Sequence, residues 1–525
     1  MRDTNTLRPE RTMIGGSLEI PRILNGLWQL AGGHDQDVDI AHASGFINTL
    51  IDRDLDCFDM ADHYGDAELV IGHYNRSSSP SSTGTASTNR RPIAFTKWCP
   101  PEADSTKTFA QAEAAIDLAL QRTQQKQLAL LQYHIWDYTN DLYIHNLQHL
   151  TRLHSSSKIA HIGLTNTDSA HLAMLLDTGF PIVTNQVACS VLDRRVVRGR
   201  MSALCVERGV GLLCYGTLLG GFVSEKWLDA PEPAAGADSS STALNWSLRK
   251  YLRFIHAAGG WQAFQVVLKA LDVVARKHNV PVAAVAIRWV LDIPAVKAVI
   301  VGTRLNADSE AHARQTLLAF SFSLDDEDRA LVTRAQDGLQ DIPGDCGDEY
   351  RRPPYLTAAG DLSHHIKPSD RTKAVREAIA KGQRIEYLTG SPWEPICGYC
   401  RAVRIGSRIH VSGTTANPPR DASTLTCIGG TSAASQTVWI LDIIEGSLKA
   451  LDASMKDIVR TRVILRNSKD CEAVSQEHGW KMKCAGILPA NTLIQAGLYE
   501  SQMLVEVESW AEVGSAEGGT LQISA

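Results

Sequence analysis

Three short apolar runs near the start of this chain each stop on a titratable side chain. Cys57-Phe58 ends on Asp59, Ala94-Phe95-Thr96 ends on Lys97, and Leu128–Tyr133 ends on His134. A phenol, Tyr64, follows Asp59 by five residues, where strand gives way to loop. Parallel strands that each stop at an ionisable group imply one shared mouth. In a (β/α)8 barrel the chemistry is built at that C-terminal face. Strand and helix patterns alternate from residue 22 to about 336, as such a barrel requires.

The residue types define a chemistry. A phenol with a free pKa of ~10 is a poor proton donor at neutral pH. A nearby ammonium makes it a better one, and a carboxylate holds the ammonium in place. The phenol can then act as general acid to a carbonyl oxygen while hydride reaches the carbon, with an imidazole orienting that oxygen. No metal is called for.

With these residues in view, the first ~340 positions resemble the aldo-keto reductase family. Phe58-Asp59-Met60-Ala61-Asp62-His63-Tyr64-Gly65, then Glu68 and Ile71-Gly72, match its first signature. The resemblance implies Tyr64 as catalytic acid, Lys97 as the lysine that activates it, Asp59 as that lysine's partner and His134 as the substrate-orienting histidine. It also implies that Thr165 and Asn166, in Ile162–Asn166, and Gln186 meet the nicotinamide carboxamide. Tyr215 would stack on the ring. Ile300-Val301-Gly302-Thr303-Arg304 resembles the loop at the adenosine phosphates. Arg304, with Arg314 nearby, favours NADP (NADPH) over NAD, because a guanidinium pairs bidentately with phosphate.

Composition fits an enzyme of this kind. The chain has 525 residues, 44% hydrophobic, and a formal charge of −6. That balance gives no electrostatic case for nucleic acid or an anionic membrane. Eleven cysteines lie scattered, with one lone C-x-x-C at Cys397 and Cys400, and read as reduced thiols. No apolar run reaches membrane-spanning length and the first residues lack a leader pattern, so a cytoplasmic location is expected. Residues 75–91, rich in Ser and Thr, read as a surface loop away from the active site. Residues 225–262 read as an irregular stretch whose tryptophans, Trp227, Trp246 and Trp261, are either a substrate surface or packing anchors.

Composition shifts near residue 340. Residues 341–384 hold Pro343, Pro353, Pro354 and Pro368 among Asp, Gly and Arg, and read as a linker between a barrel (1–340) and a second domain (385–520). A hairpin is expected over 401–413, helices over 436–451 and 469–483, and strands over 458–465, 491–496 and 503–510. This half resembles the Rid family, the reactive-intermediate deaminases also called endoribonuclease L-PSP proteins. Gly398-Tyr399, Val411-Ser412-Gly413, Pro489-Ala490-Asn491-Thr492 and Leu504–Glu508 carry the likeness. It implies an α+β, chorismate-mutase-like fold, a homotrimer, and a cleft bearing Tyr399, Asn491 and Glu506. Deaminating members have an arginine where Asn491 stands, so 2-iminoacid deamination is not expected.

The expected protein is an α/β fusion: a TIM barrel that reduces an aldehyde or ketone of a small organic substrate with NADPH, in a specialised (secondary-metabolite) pathway, followed by a divergent Rid-like domain. Two other readings stay open. One is a nicotinamide-binding regulatory protein. The other is a Rid-type hydrolase with the barrel as scaffold.

Overall fold

A computed structural model describes residues 6–31, 38–77, 90–100, 108–234, 244–356, 370–420, 422 and 424–523. Strands β1 (Arg11–Ile14) and β2 (Leu18–Pro21) form an antiparallel hairpin. Then β3 (Ile23–Gly26), β4 (Cys57–Asp59), β5 (Ile93–Trp98), β6 (Leu130–His134), β7 (Ile162–Thr165), β8 (Ile182–Ala188), β9 (Gly211–Tyr215) and β10 (Val296–Gly302) close a parallel barrel, with Val299–Gly302 returning against Ile23–Gly26. These strands are apolar on both faces because helices cover the outside and side chains fill the inside. Ile14 and Ile20 of the hairpin pack on Leu24, Cys57, Phe95, Leu130, Leu213 and Ala298, so the hairpin plugs the floor. The opposite end stays open for chemistry.

Local sequence sets the helices. Thr108 and Gln111 form a reciprocal capping box ahead of Phe109–Thr123. Gly72, in Ala67–Ser77, lies so close to that helix's end that a Cβ would collide with the Arg122 carbonyl.

Beyond the barrel, β11 (Ile385–Tyr387), β12 (Ala402–Ile405), β13 (Arg408–Thr415), β14 (Ile458–Leu465), β15 (Ala490–Gln495) and β16 (Val505–Glu512) form one sheet in the order β11-β12-β13-β16-β14-β15. The alternation of Val463 and Leu465 with Arg462 and Ile464, and of Val505 and Val507 with Glu506 and Glu508, buries one face. Helix Ala433–Ala450 packs on β13 and β16, and Cys471–Cys484 packs beside that helix. Among the described residues, no helix is long and apolar enough to cross a membrane.

Two expectations need correction. Residues 225–262 are not wholly irregular: Trp246–Ala257 is a helix capped by Asn245. Trp227 and Trp261 pack with Phe222 and Phe264, which makes them anchors. Residues 341–356, read as linker, are packed onto the barrel, with Cys346, Asp348, Glu349 and Tyr350 buried. Most of the 75–91 loop lies outside the described residues.

The two domains share a closely fitted seam. A Cβ at Gly430 would collide with the Asp177 carbonyl, and one at Gly446 would meet the Thr139 carbonyl. His171 lies in the seam with Nδ1 held by Asp168 and Nε2 by Asp442, each at 2.7 Å. Burial opposes its charge, but Asp168 and Asp442 raise its pKa to about 9. Burial likewise opposes ionisation of Asp168, but His171 holds that carboxyl well below the usual range. The signs give a window. The His171 contribution is fully present below its unfolded pKa of about 6.5 and is lost as pH rises through about 9. The Asp168 contribution is present above about pH 4 and is lost as pH falls further. Thermal melts should hold a plateau between about pH 4 and about pH 6.5. The fall from there to about pH 9 should be absent in His171→Gln; the same fall in that variant would show that another group causes it.

Candidate active site

Every residue singled out in the first half as catalytic, and most of those singled out for the cofactor, lies at the barrel's open end. Asp59 ends β4, Lys97 sits one residue from the end of β5, and His134 ends β6. Thr165 ends β7, Gln186 lies in β8, Tyr215 ends β9 and Gly302 ends β10. Tyr64 stands in the loop after β4. All of them line one cavity of about 540 Å³, which continues past Gly302 to Arg304, Gln315 and Thr316.

The floor of the cavity is a buried polar cluster. Lys97 Nζ meets Asp59 Oδ2 at 2.6 Å and donates to the Met60 carbonyl at 2.8 Å. Asp59 Oδ1 accepts from the amides of Gln132 and Gln186, each at 2.8 Å. Lys97 and Asp59 are both buried. A buried pair holds when both partners are this fully hydrogen-bonded. The ammonium also lies 4.8 Å from the centre of the Tyr64 ring, which His63 meets edge-on.

His134 is buried, and neither ring nitrogen has a hydrogen-bond partner among the described residues. Burial first, then the Arg351 guanidinium, pushes its pKa well below the ordinary imidazole range, so it is neutral at pH 7. Trp136 lies 3.8 Å from its ring and Tyr350 5.2 Å, both by centroid. The result is a neutral imidazole set in an aromatic wall beside the open cavity.

The cofactor candidates separate into those that face the cavity and those that do not. Tyr215 donates to Asn166 Oδ1 at 2.7 Å, which leaves the Asn166 amide nitrogen free to donate. Gln186 spends its own amide nitrogen on Asp59 and Gln132, which leaves its carbonyl oxygen to accept. One donor and one acceptor are what a primary carboxamide needs. Thr165 donates to the Gln186 backbone carbonyl at 3.2 Å. At Gly302 any Cβ would collide with the Gln29 side chain. Thr303 does not line the cavity; its amide bonds the Gly26 carbonyl. Arg314 does not line it either, because it pairs with Glu310 one turn earlier on its own helix. Arg304 lines its far end.

Sequence reasoning missed Gln132, Trp136, Lys250 and Tyr350. Gln132 carried a signal: a polar residue inside an apolar run, two before His134 and so on the same strand face. Lys250 and Tyr350 carried none, since both fall in stretches read as irregular.

In the second domain, Tyr399, Asn491 and Glu506 are not brought together. Asn491 registers with Thr461, on the helix-facing side, and donates to its hydroxyl at 2.9 Å. Glu506 registers with Ile464 on the open face and presses against Gly413. Three rungs separate Thr461 from Ile464 along β14, so Asn491 and Glu506 point to opposite sides. Tyr399 stands half-buried before β12.

A barrel with an Asp-Tyr-Lys-His constellation at its mouth defines a class, and comparison agrees. The model of the aldo/keto reductase family matches residues 22–337, more than half the chain, and the chain belongs to that family of nicotinamide-dependent oxidoreductases. The model of endoribonuclease L-PSP matches residues 389–513. Flagellar radial spoke protein 5 of Chlamydomonas reinhardtii is 33% identical over 135 residues, 26% of this chain and 25% of that protein. The chain therefore spans a quarter of that relative's length. Glycerol dehydrogenase from Gluconobacter oxydans shares the fold, with 18% identity, 65% of this chain and 98% of that chain covered, and a TM-score of 0.50. A YjgF/YER057c/UK114 family protein from Mycobacterium tuberculosis is 30% identical over 25% of this chain and 100% of its own, with a TM-score of 0.22 over the whole fusion.

Proposed function

We propose that the protein is an NADPH-dependent reductase that converts the carbonyl of a small aldehyde or ketone to an alcohol. One observation carries the reading: Tyr64, Lys97, Asp59 and His134 converge on a single cavity in which the neutral His134 ring has both nitrogens unsatisfied. When bound, the nicotinamide supplies hydride. His134 donates one hydrogen bond to the carbonyl oxygen and fixes its direction. Tyr64 gives that oxygen its proton, and the Lys97 charge beside the phenol stabilises the phenolate left behind. Asp59, with the two glutamine amides, keeps Lys97 from turning away. Asn166 and Gln186 fit a carboxamide as donor and acceptor, and Tyr215 borders the same space. Loss of NADPH absorbance against a panel of aromatic and aliphatic aldehydes and ketones tests the reading; tight cofactor binding with no turnover on any member would favour a sensor.

Arg304 supports NADPH over NADH. Arg304→Ala should weaken NADPH by about tenfold or more, the worth of a charge-assisted phosphate contact, and leave NADH nearly unchanged. Equal losses for both nucleotides would show that the guanidinium does not read the 2′-phosphate.

We assign no deaminase role to the second domain, in keeping with Asn491. The open face of its sheet, with Ile494 exposed on edge strand β15, favours a homotrimer, which light scattering of the full chain would test. The eleven free cysteines favour a reducing, cytoplasmic setting. The fusion itself favours a specialised pathway in which a reactive carbonyl or imine passes between the halves.

A further inference from the structure

Residues 345–352 tie the cavity to the second domain. Asp345 accepts from the Ser169 amide at 2.8 Å, and its carbonyl accepts from Arg195 at 2.8 Å. Glu349 pairs with Arg195 at 2.6 Å. Gly347 lies against Asn166 so closely that a Cβ would collide with its carbonyl. Arg351 donates to the carbonyls of Ile135 and Asn166, the neighbours of His134 and Thr165. Tyr350 reaches the cavity itself, where its hydroxyl accepts from Lys250 Nζ at 3.0 Å and its ring meets His134 edge-on.

The outer side of the same segment meets the second domain. Arg352 lies 3.6 Å from Asp348, reaches the Cys484 sulfur, and sits in the field of Glu445. Beside it, Asp442 holds His171 through one oxygen and Lys481, at 2.8 Å, through the other; Lys481 also pairs with Glu445 at 2.7 Å. His171 stacks on Tyr138, with ring centroids 3.4 Å apart and planes 6° apart. The Arg351 guanidinium sits 4.3 Å from the centre of that same Tyr138 ring. A contiguous set of packed groups thus runs from Asp442 through His171, Tyr138 and Arg351 to the backbone on either side of the candidate site.

We propose that the second domain positions the reductase's substrate wall: Asp442, through His171, Tyr138 and Arg351, and Arg352, through its pair with Asp348, hold residues 345–352 so that Tyr350 closes the carbonyl end of the cavity. Tyr350 contacts substrate; Asp442 and Arg352 are positioning residues. With Trp136 and His134 beside it, Tyr350 gives that end an aromatic wall, which suits a planar, unsaturated or aromatic carbonyl. The inference rests on the reductase reading.

The test uses the full chain, with Asp442→Ala, Arg352→Ala and Tyr350→Ala. Two things are measured: hydrogen exchange of the 345–352 amides, and KM, kcat and NADPH affinity with the best carbonyl from the panel. Either positioning variant should speed exchange in 345–352 while the barrel strands stay protected. Each should raise KM at least about fivefold, the lower range of site-to-site coupling, with NADPH affinity unchanged. Arg352→Lys should restore part of the loss, and Asp442→Ala combined with Tyr350→Ala should be no worse than Tyr350→Ala alone. Unchanged exchange, or faster exchange with KM unchanged, overturns the proposal, as does parallel loss of NADPH binding. If Asp442→Ala does not fold, Arg352→Ala decides. If the parent turns over no carbonyl, the reductase reading fails, and the exchange result alone decides the link between domain and segment.

Discussion

Tyr64→Phe should leave NADPH binding intact and lower carbonyl turnover by about two to four orders of magnitude, the worth of a positioned general acid. The change removes one oxygen and keeps the ring, so the Lys97 contact at 4.8 Å and the edge contact with His63 keep their shape. Neither Lys97 nor His134 replaces the proton at the same point. Lys97 is committed to Asp59 and the Met60 carbonyl. His134 is neutral and buried, suited to orienting an oxygen, and would leave an anion if it gave up its proton. The expected pattern is a collapse of kcat with the cofactor's dissociation constant unchanged, read by steady-state kinetics and by fluorescence titration. Turnover that survives within a few-fold would move the acid's role to another group and undo the mechanism above.

The second large effect is on stability. Trp439→Ala should cost about 3–5 kcal/mol, as for other buried aromatic truncations. Trp439 is 2% exposed, in the middle of Ala433–Ala450. Its indole donates to the Asn417 carbonyl at 2.9 Å, and its ring meets Tyr143 of the barrel edge-on at 6.1 Å. The truncation therefore opens a void on the seam and leaves the Asn417 carbonyl short of a partner. Because the seam is closely fitted, the loss should appear in both halves. Denaturant curves followed by barrel-site NADPH fluorescence and by far-UV dichroism should coincide in the parent and shift together in the variant. A shift in dichroism with the nucleotide signal unmoved would mean that the domains unfold independently.

How much of this was legible in the sequence depended on whether a residue's role is set by its neighbours in the chain. Asp59, Lys97 and His134 announce themselves because a polar group that ends an apolar strand has few places to be other than a barrel mouth. Gly72 is forced by backbone proximity, to the Arg122 carbonyl. The second-domain strands also came through: 458–465 was expected and β14 spans Ile458–Leu465. Other features depend on partners far along the chain. Tyr350 sits among prolines and aspartates that read as linker, and partners far along the chain, Arg195, Asn166, Ile135, Ser169 and Lys250 among them, make that segment structured. The helix Trp246–Ala257 was hidden by the breakers around it. Asn491 and Glu506 stand on opposite faces of one chain's sheet, a relation set by register: strand positions can be read from alternation, but which rungs face each other cannot.

Gly430 and Gly446 carry a consequence for how such a chain can change over generations. Each sits where a barrel carbonyl fills the space of a side chain, so neither half has a generic surface toward the other. An exchange that brought in a foreign barrel, or a foreign sheet domain, would bring carbonyls and side chains shaped to some other neighbour. The expected history is joint descent: substitutions on one side of the seam answered on the other, with the two halves passed on as one heritable unit and not reshuffled as modules.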